Sequence, residues 1–320
     1  MANGRRQKKR RARRWLLLIP VCIIVVCVIA FQLLVRAPET PPDLTSISVT
    51  DNPETSVTEV PALRKSNFYT FLLCGTDDGN GGTDTIMVAS YDTKNQEVNV
   101  VSVPRDTLVD VSWDTKKINS TYNYGGTELL KQELSRILGF TPDFTIKVDL
   151  QGFVDIVDKV GGVDFYVPTD MSWPDPYIDL KEGQQTLDGE HALMLVRMRH
   201  CYATQDLGRI ETQQAFLKAL VQQTLKISNA TKIAEFAQIF KDYVTTDLSA
   251  GNLIWFGKEA LGLDMDNVHF YTLPGDGSGY YNGISYFILE PEKTLALVNR
   301  TVNPFTADIP EDQIHIFTGE

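Results

Sequence analysis

Three arginines lie close together at Arg197, Arg199 and Arg209, just before and at the start of a predicted helix. A guanidinium group presents a planar fork of N–H donors that matches a phosphate, so this grouping indicates a site for a phosphorylated ligand. If Leu195–His200 is extended, Arg197 and Arg199 point the same way, because strand side chains alternate with a period of two. Asp206 precedes the helix, whose N-terminus adds N–H groups that favour an anion. The alternative is structural: Asp206 caps the helix and the arginines lie on a solvated edge.

Two further groups of charged residues follow predicted strands. Arg105 and Asp106 come directly after a hydrophobic strand, where Arg105 either presents its guanidinium to a phosphate or pairs with Asp106. Asp77 and Asp84 flank a glycine-rich loop. Carboxylates on such a turn suit Mg²⁺, which takes one or two of them together with phosphate oxygens. Spacing alone favours a simpler interpretation, in which both aspartates form turns or caps.

Strands and helices that alternate along the chain must position these residues. We predict strands at Phe68–Cys74, Thr85–Tyr91, Val98–Val103, Thr145–Leu150 and Val163–Val167, with a hairpin turn at Asp92–Gln96. We predict helices at Thr127–Leu138, Phe153–Val160, Ile210–Leu225, Ile233–Tyr243, Leu253–Leu261 and Pro291–Asn303. This mixture predicts an α/β fold with a mixed central sheet and helices on both faces, an α-β-α sandwich.

Residues Trp15–Val35 form a run of 21 residues without a charge, directly behind eight Lys/Arg in the first 14 residues. As a helix this run would span about 31 Å, close to the hydrocarbon thickness of a bilayer. The basic flank predicts a cytoplasmic N-terminus. A cleaved signal peptide is the main alternative, but its apolar core would be only about 7 to 15 residues long. We therefore predict one N-terminal transmembrane helix in a single-pass protein of the cell membrane.

The predicted organisation has four parts: a basic cytoplasmic tail (1–14), the transmembrane helix (15–35), a flexible extracellular stalk (36–65) and an extracellular folded domain (66–320). Beyond residue 36 the chain carries 21 of its 30 basic residues and all 41 acidic residues, a net charge near −20. This balance excludes nucleic acid as a partner bound by bulk charge. Cys74 and Cys201 are the cysteines of the external part, and two free thiols are favoured over a disulfide.

The segments around the charged residues follow one another in a specific order: Gly75-Thr-Asp77, Thr83-Asp84-Thr85-Ile-Met, Ser102-Val-Pro-Arg105-Asp106-Thr107, Lys117-Ile-Asn119, Tyr124-Gly-Gly126, Val160-Gly-Gly-Val163-Asp164, Leu187-Asp-Gly-Glu190, Val196-Arg197-Met-Arg199, Asp206-Leu-Gly-Arg209 and Gln213-Gln214. In this order and spacing they resemble the LytR–CpsA–Psr family. Each motif alone is weak, whereas the ordered set is specific. The resemblance covers roughly Ser66–Leu225, with a looser likeness as far as Pro304. One cytoplasmic tail, one span and one external catalytic domain is also the usual layout of that family.

The resemblance implies a phosphotransferase that acts on polyprenyl-pyrophosphate-linked glycopolymers. Such an enzyme moves a phospho-glycan from its lipid carrier onto a peptidoglycan hydroxyl with the help of Mg²⁺, as in attachment of wall teichoic acid or capsule. Its partners are therefore the lipid-linked polymer, the peptidoglycan acceptor and the lipid bilayer. The lipid tail is expected in a groove between apolar strands and helices.

Matching residues by motif position assigns each a role. Asp77 and Asp84 would hold the Mg²⁺, and Asp206 would orient or deprotonate the acceptor hydroxyl. The pyrophosphate would be bound by Arg105, Arg197, Arg199, Arg209 and Gln213, with Arg105 also counted as catalytic. This division is physically reasonable, because phosphoryl transfer depends mostly on positioning and charge neutralisation.

Two positions depart from the family pattern, since Gly82 and Thr212 stand where it commonly has arginine. One or two charged hydrogen bonds to phosphate, worth about 1.5 to 3 kcal/mol each, would then be absent or supplied by His200 or Lys117. The alternative function is accordingly a non-catalytic binder of polyprenyl pyrophosphate or a scaffold in wall assembly. A membrane-bound transcription regulator finds little support, because the 14-residue basic tail is too short to fold as a DNA-binding domain.

Overall fold

The computed structural model describes residues 35–40, 47–49, 58–60, 63–77, 82–174, 177–202, 206–227, 238 and 240–319. The predicted tail at 1–14 lies outside these residues, as does the predicted span except for Val35. Within the described part of the chain, no helix has the length and apolar character needed to cross a membrane. The predicted Ile233–Tyr243 helix also falls largely outside the described residues.

The strands of the described residues are, in chain order, β1 (Ile47–Val49), β2 (Thr58–Val60), β3 (Phe68–Thr76), β4 (Thr83–Asp92), β5 (Glu97–Ser102), β6 (Phe144–Asp149), β7 (Val163–Val167), β8 (Met171–Pro174), β9 (Tyr177–Leu180), β10 (Gly183–Leu187), β11 (Thr245–Thr246), β12 (Val268–Thr272), β13 (Gly275–Tyr281) and β14 (Ile284–Leu289). The α-helices are α1 (Ile118–Leu138), α2 (Leu150–Lys159), α3 (Gly189–Arg197), α4 (Asp206–Ile227), α5 (Ala250–Glu259) and α6 (Pro291–Thr301). Short 3₁₀ turns lie at Ala260–Gly262, Met265–Asn267 and Glu311–Gln313.

Six strands form the central sheet in the order β11-β6-β3-β4-β5-β12. β3, β4 and β5 run antiparallel to their sequence neighbours, and Asp92–Gln96 makes the hairpin between β4 and β5. β6 joins β3 in parallel and β12 joins β5 in parallel, each after a helical connection. The prediction of a mixed central sheet is confirmed.

Both faces of the sheet are covered by helices, because side chains along a strand alternate between the two faces. On one face Leu72, Ile86 and Val88 pack in a cluster with Leu134 of α1 and Val298 of α6. On the other face Tyr69, Phe71 and Tyr91 pack in a cluster with Trp255 and Phe256 of α5. The central strands are therefore buried on both sides, as in a sandwich.

A third apolar cluster lies among α2, α3, α4 and the β7–β10 ribbon, with Val157, Val163, Leu195 and Phe216 fully buried. Helices α2 and α3 approach closely at Gly189, where a Cβ would lie 2.4 Å from the Val154 carbonyl oxygen. This layer matters for function because α3 ends at Arg197 and α4 begins at Asp206.

The structure corrects two expectations about local conformation. Leu195–His200 is not extended, since α3 continues through Arg197, so the argument from strand alternation for the arginine pair is wrong. Helix α1 begins at Ile118 instead of Thr127, with a kink where Gly125 and Gly126 leave helical geometry. The prediction missed the segment before the kink because its sequence lacks the regularly spaced apolar residues that mark Thr127–Leu138 as an amphipathic helix.

Several elements were not predicted from the sequence. The β1–β2 pair lies inside the predicted stalk, and the β8–β9 and β13–β14 ribbons were also missed. Cys74 and Cys201 are free thiols, the first in the core of the sheet and the second after α3.

Replacing Gly189 with Ala should destabilise the protein, because the new methyl group collides with the backbone of α2 and forces α3 outward. We expect a loss of about 1 to 3 kcal/mol in the free energy of unfolding, measured by urea titration. Gly277→Ala is the matched control, since a Cβ there meets Phe287 at an ordinary 3.5 Å. Equal losses in the two variants would contradict the close α2–α3 contact.

Candidate active site

The charged residues predicted to do chemistry meet at one end of the central sheet. β3 and β4 are antiparallel, so the end of β3 lies beside the start of β4. β4 and β5 are also antiparallel, so the end of β5 lies at this same end of the sheet, which is called the β3–β4 edge below. Asp77 follows β3, Asp84 lies at the start of β4, and Arg105 lies three residues after β5. The topology therefore brings together three segments that are separate in sequence.

Arg105 is the centre of this cluster. Its guanidinium forms a salt bridge with Asp84, and its Nε lies 3.5 Å from Asp106 Oδ1 and 3.9 Å from Asp206 Oδ2. Burial disfavours the charge of Arg105, but the three carboxylates outweigh burial and raise its pKa above the ordinary value. The arrangement keeps a partly buried cation among three anions.

The backbone that carries Arg105 is firmly held. Its carbonyl oxygen accepts a hydrogen bond from Asn119 N–H at 3.1 Å, and Asp106 O accepts one from Phe287 N–H at 3.0 Å. Lys117 Nζ donates to Asp106 Oδ2 at 2.8 Å. The first turn of α1 and strand β14 thus fix the direction in which Arg105 projects. Sequence reasoning considered Asp106 only as an ion-pair partner of Arg105 and Lys117 only as a substitute for an absent arginine, and assigned neither a place in the site.

Arg209 lies deeper, with 2% of its surface exposed. Its Nη2 lies 3.1 Å from Asp206 Oδ1 and donates to the Asp84 carbonyl oxygen at 3.4 Å. Burial lowers the pKa of Arg209, and the positive charges of Arg105 and Arg199 lower it further against the opposing effect of Asp206 and Asp84. Arg199 therefore lies within electrostatic range of the same cluster.

Helix α3 presents the remaining arginine. Arg197, its last residue, places Nη2 at 3.8 Å from Asp77 Oδ2 across the site. Gln213 is buried, and its amide nitrogen donates to Val196 O at 3.0 Å, which ties α4 to the end of α3. In this structure Gln213 supports the helix that carries Arg197, and its contact with pyrophosphate stays a prediction.

Buried polar atoms without a hydrogen-bond partner in the described structure are concentrated here. Such atoms are rare in folded proteins, and each requires an explanation. At this edge they belong to Thr76, Thr83, Arg105, Asp106, Asp206 and Arg209. Neighbouring donors and acceptors that lack hydrogen-bond partners indicate a site that can bind a polar ligand.

The positions that depart from the family pattern have simple local roles. Gly82 has φ of +121°, which favours glycine, and a Cβ there would meet nothing closer than 3.9 Å. Thr212 is buried, and its hydroxyl hydrogen-bonds Tyr202 Oη at 2.8 Å and Gly208 O at 3.0 Å. Thr212 thus stabilises the first turns of α4.

The two aspartates predicted to bind Mg²⁺ are suitable ligands, but oxygen atoms of a bound phosphate and water must complete the coordination. Asp77 and Asp84 are partly exposed carboxylates that face Arg197 and Arg105. Among the described residues, no group of three His, Cys, Asp or Glu side chains is placed to hold a metal. Two carboxylates suffice for Mg²⁺ when phosphate oxygens and water complete its octahedron. The metal itself stays a prediction.

Two cavities of the described structure, of about 480 and 380 Å³, lie away from the arginine cluster. Both lie beside the C-terminal half of α1 and share Arg136 and His315 as lining residues. The expected groove for a lipid tail stays a prediction.

Comparison with known proteins gives consistent results. The LytR_cpsA_psr family model matches residues 42–303. The polyisoprenyl-teichoic acid–peptidoglycan teichoic acid transferase TagU of Bacillus cereus is 29% identical over 248 residues, which cover 76% of this chain and 81% of that protein. The regulatory protein MsrR of Staphylococcus aureus is 34% identical over 192 residues, 58% of each protein. The crystal structure of TagV from B. subtilis superimposes with a TM-score of 0.66 at 28% identity, covering 74% of this chain and 96% of that one.

Removing the guanidinium in Arg105→Ala should destabilise the fold at neutral pH, because Asp84, Asp106 and Asp206 would then repel one another. After allowance for solvent screening we expect a loss of about 1 to 2 kcal/mol in the free energy of unfolding. The raised pKa of Arg105 means that its charge stabilises the folded state at every pH below the ordinary arginine value, provided that the carboxylates are ionised.

The difference between wild type and Arg105→Ala should therefore shrink in strong acid, where carboxylates as a class are protonated. Urea titrations at pH 7.5 and at about pH 2 measure it. Lys181→Ala is the control, since Lys181 pairs with Asp170 and Asp179 on the open surface and its removal should matter little at either pH. A loss for Arg105→Ala that is the same at both pH values would contradict the electrostatic explanation.

Proposed function

The chain belongs to the LytR_cpsA_psr family, and on that premise we propose that it transfers a phospho-glycopolymer from a polyprenyl-pyrophosphate carrier to a peptidoglycan hydroxyl. It is a transferase enzyme, like its B. cereus relative. The observation that carries the proposal is the cluster of arginines at one end of the sheet, where the buried Nε atoms of Arg105 and Arg209 have no hydrogen-bond partner in the described structure.

The charge balance of the cluster suits a doubly charged headgroup. The cluster contains four arginines (Arg105, Arg197, Arg199 and Arg209) and four aspartates (Asp77, Asp84, Asp106 and Asp206), with Lys117 as an additional cation. In this structure Arg105 and Arg197 face Asp84 and Asp77. A pyrophosphate would offer these guanidinium groups better-matched partners, since phosphate oxygens accept forked hydrogen bonds. The arginines would then exchange carboxylate for phosphate.

That exchange connects the arginines with the predicted metal. If pyrophosphate takes over the guanidinium groups of Arg105 and Arg197, the carboxylates of Asp84 and Asp77 would hold Mg²⁺, which would draw charge from the phosphate oxygens. Two separate roles are supported by the origin of the side chains. Both aspartates come from the β3–β4 end of the sheet, whereas the arginines come from the segment after β5, from the end of α3 and the turn that follows it, and from α4.

Asp206 is suited to act on the acceptor hydroxyl. Its Oδ1 is engaged by Arg209, whereas its buried Oδ2 has no hydrogen-bond partner in the described structure. We propose that Oδ2 accepts the hydroxyl proton while the hydroxyl oxygen bonds to the phosphorus that carries the glycan. The bond from that phosphorus to the bridging oxygen breaks, and polyprenyl phosphate leaves with the electron pair. Arg105, Arg197, Arg199 and Arg209 stabilise the negative charge that develops on the leaving phosphate.

The proposal includes a location. A single span at 15–35 would anchor the protein with its N-terminus in the cytoplasm, and the domain would work outside the cell, at the membrane that supplies the lipid-linked donor. The uncharged segment and its basic flank support this arrangement. Wall teichoic acid or a capsular polymer would be the transferred glycan.

Arg199→Ala should lower transfer by about ten- to a hundred-fold, the loss expected when one or more charged hydrogen bonds to phosphate disappear. The measurement follows labelled polymer that becomes covalently attached to peptidoglycan, together with released polyprenyl phosphate. Arg136→Ala is the matched control, because Arg136 pairs with Glu133 on α1, away from the cluster.

Equal transfer by Arg199→Ala and the control would rule out the assigned pyrophosphate site. If the wild-type protein binds the lipid-linked donor but forms no product even with Mg²⁺ supplied, the protein is instead a non-catalytic binder.

Mg²⁺ removal by chelation should abolish most transfer, and Asp77→Asn or Asp84→Asn should raise the Mg²⁺ concentration required for half-maximal rate. Neutral amides are weaker ligands for a hard cation than carboxylates, which gives the direction of the change. The rate is measured across a Mg²⁺ titration, with Asp170→Asn as a control on the exposed surface. A requirement that is unchanged in both site variants would remove Asp77 and Asp84 as metal ligands.

A further inference from the structure

An aromatic pair of one exposed tyrosine and one partly buried tryptophan is connected to the arginine cluster through α1 and has no role in the transfer chemistry described above. Tyr124 stacks on Trp113 with ring centroids 4.0 Å apart and planes inclined by 17°. Tyr124 nevertheless remains 63% exposed, so one face of its ring is covered and the other is open. A single exposed tyrosine is ordinary, but a tyrosine held parallel to a tryptophan is a flat surface of fixed orientation.

The pair is held in place by hydrogen bonds that lead to the active site. Trp113 Nε1 donates to Ser120 Oγ at 2.8 Å, and Ser120 Oγ donates to Lys117 O at 2.6 Å. Lys117 in turn binds Asp106, the neighbour of Arg105. The same first turns of α1 lie against the β3–β4 edge, because a Cβ at Gly82 would meet Asn123 Oδ1 at 3.9 Å. The ring of Tyr124 is therefore mounted on the same helix turns that hold Arg105 and border Asp84.

The kink in α1 follows directly after Tyr124. Gly125 and Gly126 leave helical geometry, and Gly126 has φ of +62° and ψ of −155°, a conformation that excludes most residues with a side chain. A Cβ at Gly126 would meet no atom within 4 Å, so the space beside Gly126 itself is open. The break ends the first helical segment at Tyr124.

We propose that the open face of Tyr124 is a stacking platform for a pyranose ring of the glycan that reacts at the arginine cluster. This inference rests on the proposed function, because it assumes that the ligand carries sugars. The axial C–H groups of a pyranose form an apolar face that packs on a flat aromatic ring, and the side chain of Asn123, next to Tyr124 in sequence, could bind its hydroxyl groups. A platform already held rigid loses little entropy when the sugar binds.

Two sugars could occupy the platform, and both have the same chemistry. One is the sugar next to the phosphate of the donor, and the other is the acceptor sugar of the glycan strand. The full chain is therefore tested with three probes: polyprenyl pyrophosphate without sugar, polyprenyl pyrophosphate that bears one N-acetylhexosamine, and uncross-linked peptidoglycan glycan strands.

Tyr124→Ala should weaken binding of a sugar-bearing probe by about three- to ten-fold, the range expected for loss of one aromatic stacking contact. Binding of sugar-free polyprenyl pyrophosphate should not change. Tyr124→Phe keeps the ring and should recover most of the lost affinity, whereas Tyr124→Leu keeps apolar area without a flat face and should not. Tyr166→Ala is the control, because Tyr166 is similarly exposed on β7 and its hydroxyl hydrogen-bonds Glu182.

A loss confined to the sugar-bearing lipid supports the platform and assigns it to the donor sugar. A loss confined to glycan strands supports it and assigns it to the acceptor. An equal loss for sugar-free polyprenyl pyrophosphate would overturn the inference, since Tyr124 would then only position the arginines, and so would unchanged binding of all three probes. These binding measurements need no turnover. A wild-type protein that fails to transfer polymer would therefore contradict the proposed function, while the binding data would still show whether Tyr124 stacks on a sugar.

Discussion

The site depends on mutual neutralisation of charges that are partly removed from water. Arg105 is a partly buried cation and Arg209 a buried one, and burial of an unpaired charge is costly. Asp84 and Asp206 meet both arginines and make their burial tolerable. Without this balance the end of the sheet could not hold several arginines close together.

The architecture explains why the charges collect at this edge. Both faces of the central sheet are covered by apolar clusters that contain helices, so polar side chains can gather only where strands end. The antiparallel arrangement of β3, β4 and β5 brings three strand ends to one place. The cluster around α2, α3 and α4 then brings Arg197 and Asp206 to the same edge. Packing of apolar groups thereby fixes the geometry of the polar ones.

The balance of charge also explains how the site can change its partners. Carboxylate and phosphate compete for the same guanidinium groups, and a headgroup that supplies several oxygens replaces several carboxylates at once. Under the proposed function the aspartates would keep their places at the end of the sheet, and the site would pass from its internal ion pairs to a bound ligand without a rearrangement of the fold.

Local sequence patterns determined much of the fold and the identity of the charged residues. The strands at Phe68–Thr76 and Val163–Val167, the hairpin at Asp92–Gln96 and the helix Pro291–Thr301 follow from hydrophobic periodicity and turn residues, which act over a few positions. The motif order likewise predicted the family. Yet the alternation argument for Leu195–His200 failed, because packing of α3 against α2 and α4 overrides a short run of ambiguous sequence.

Only the tertiary structure decided which charges meet. Nothing local pairs Arg105 with Asp206, directs the Gln213 amide to the backbone of α3, or stacks Tyr124 on Trp113. Such contacts join residues that are distant along the chain or lie on either side of a bend. Sequence spacing fixes direction only within one regular element, whereas the strand order and the packing of helices on the sheet decide which elements become neighbours.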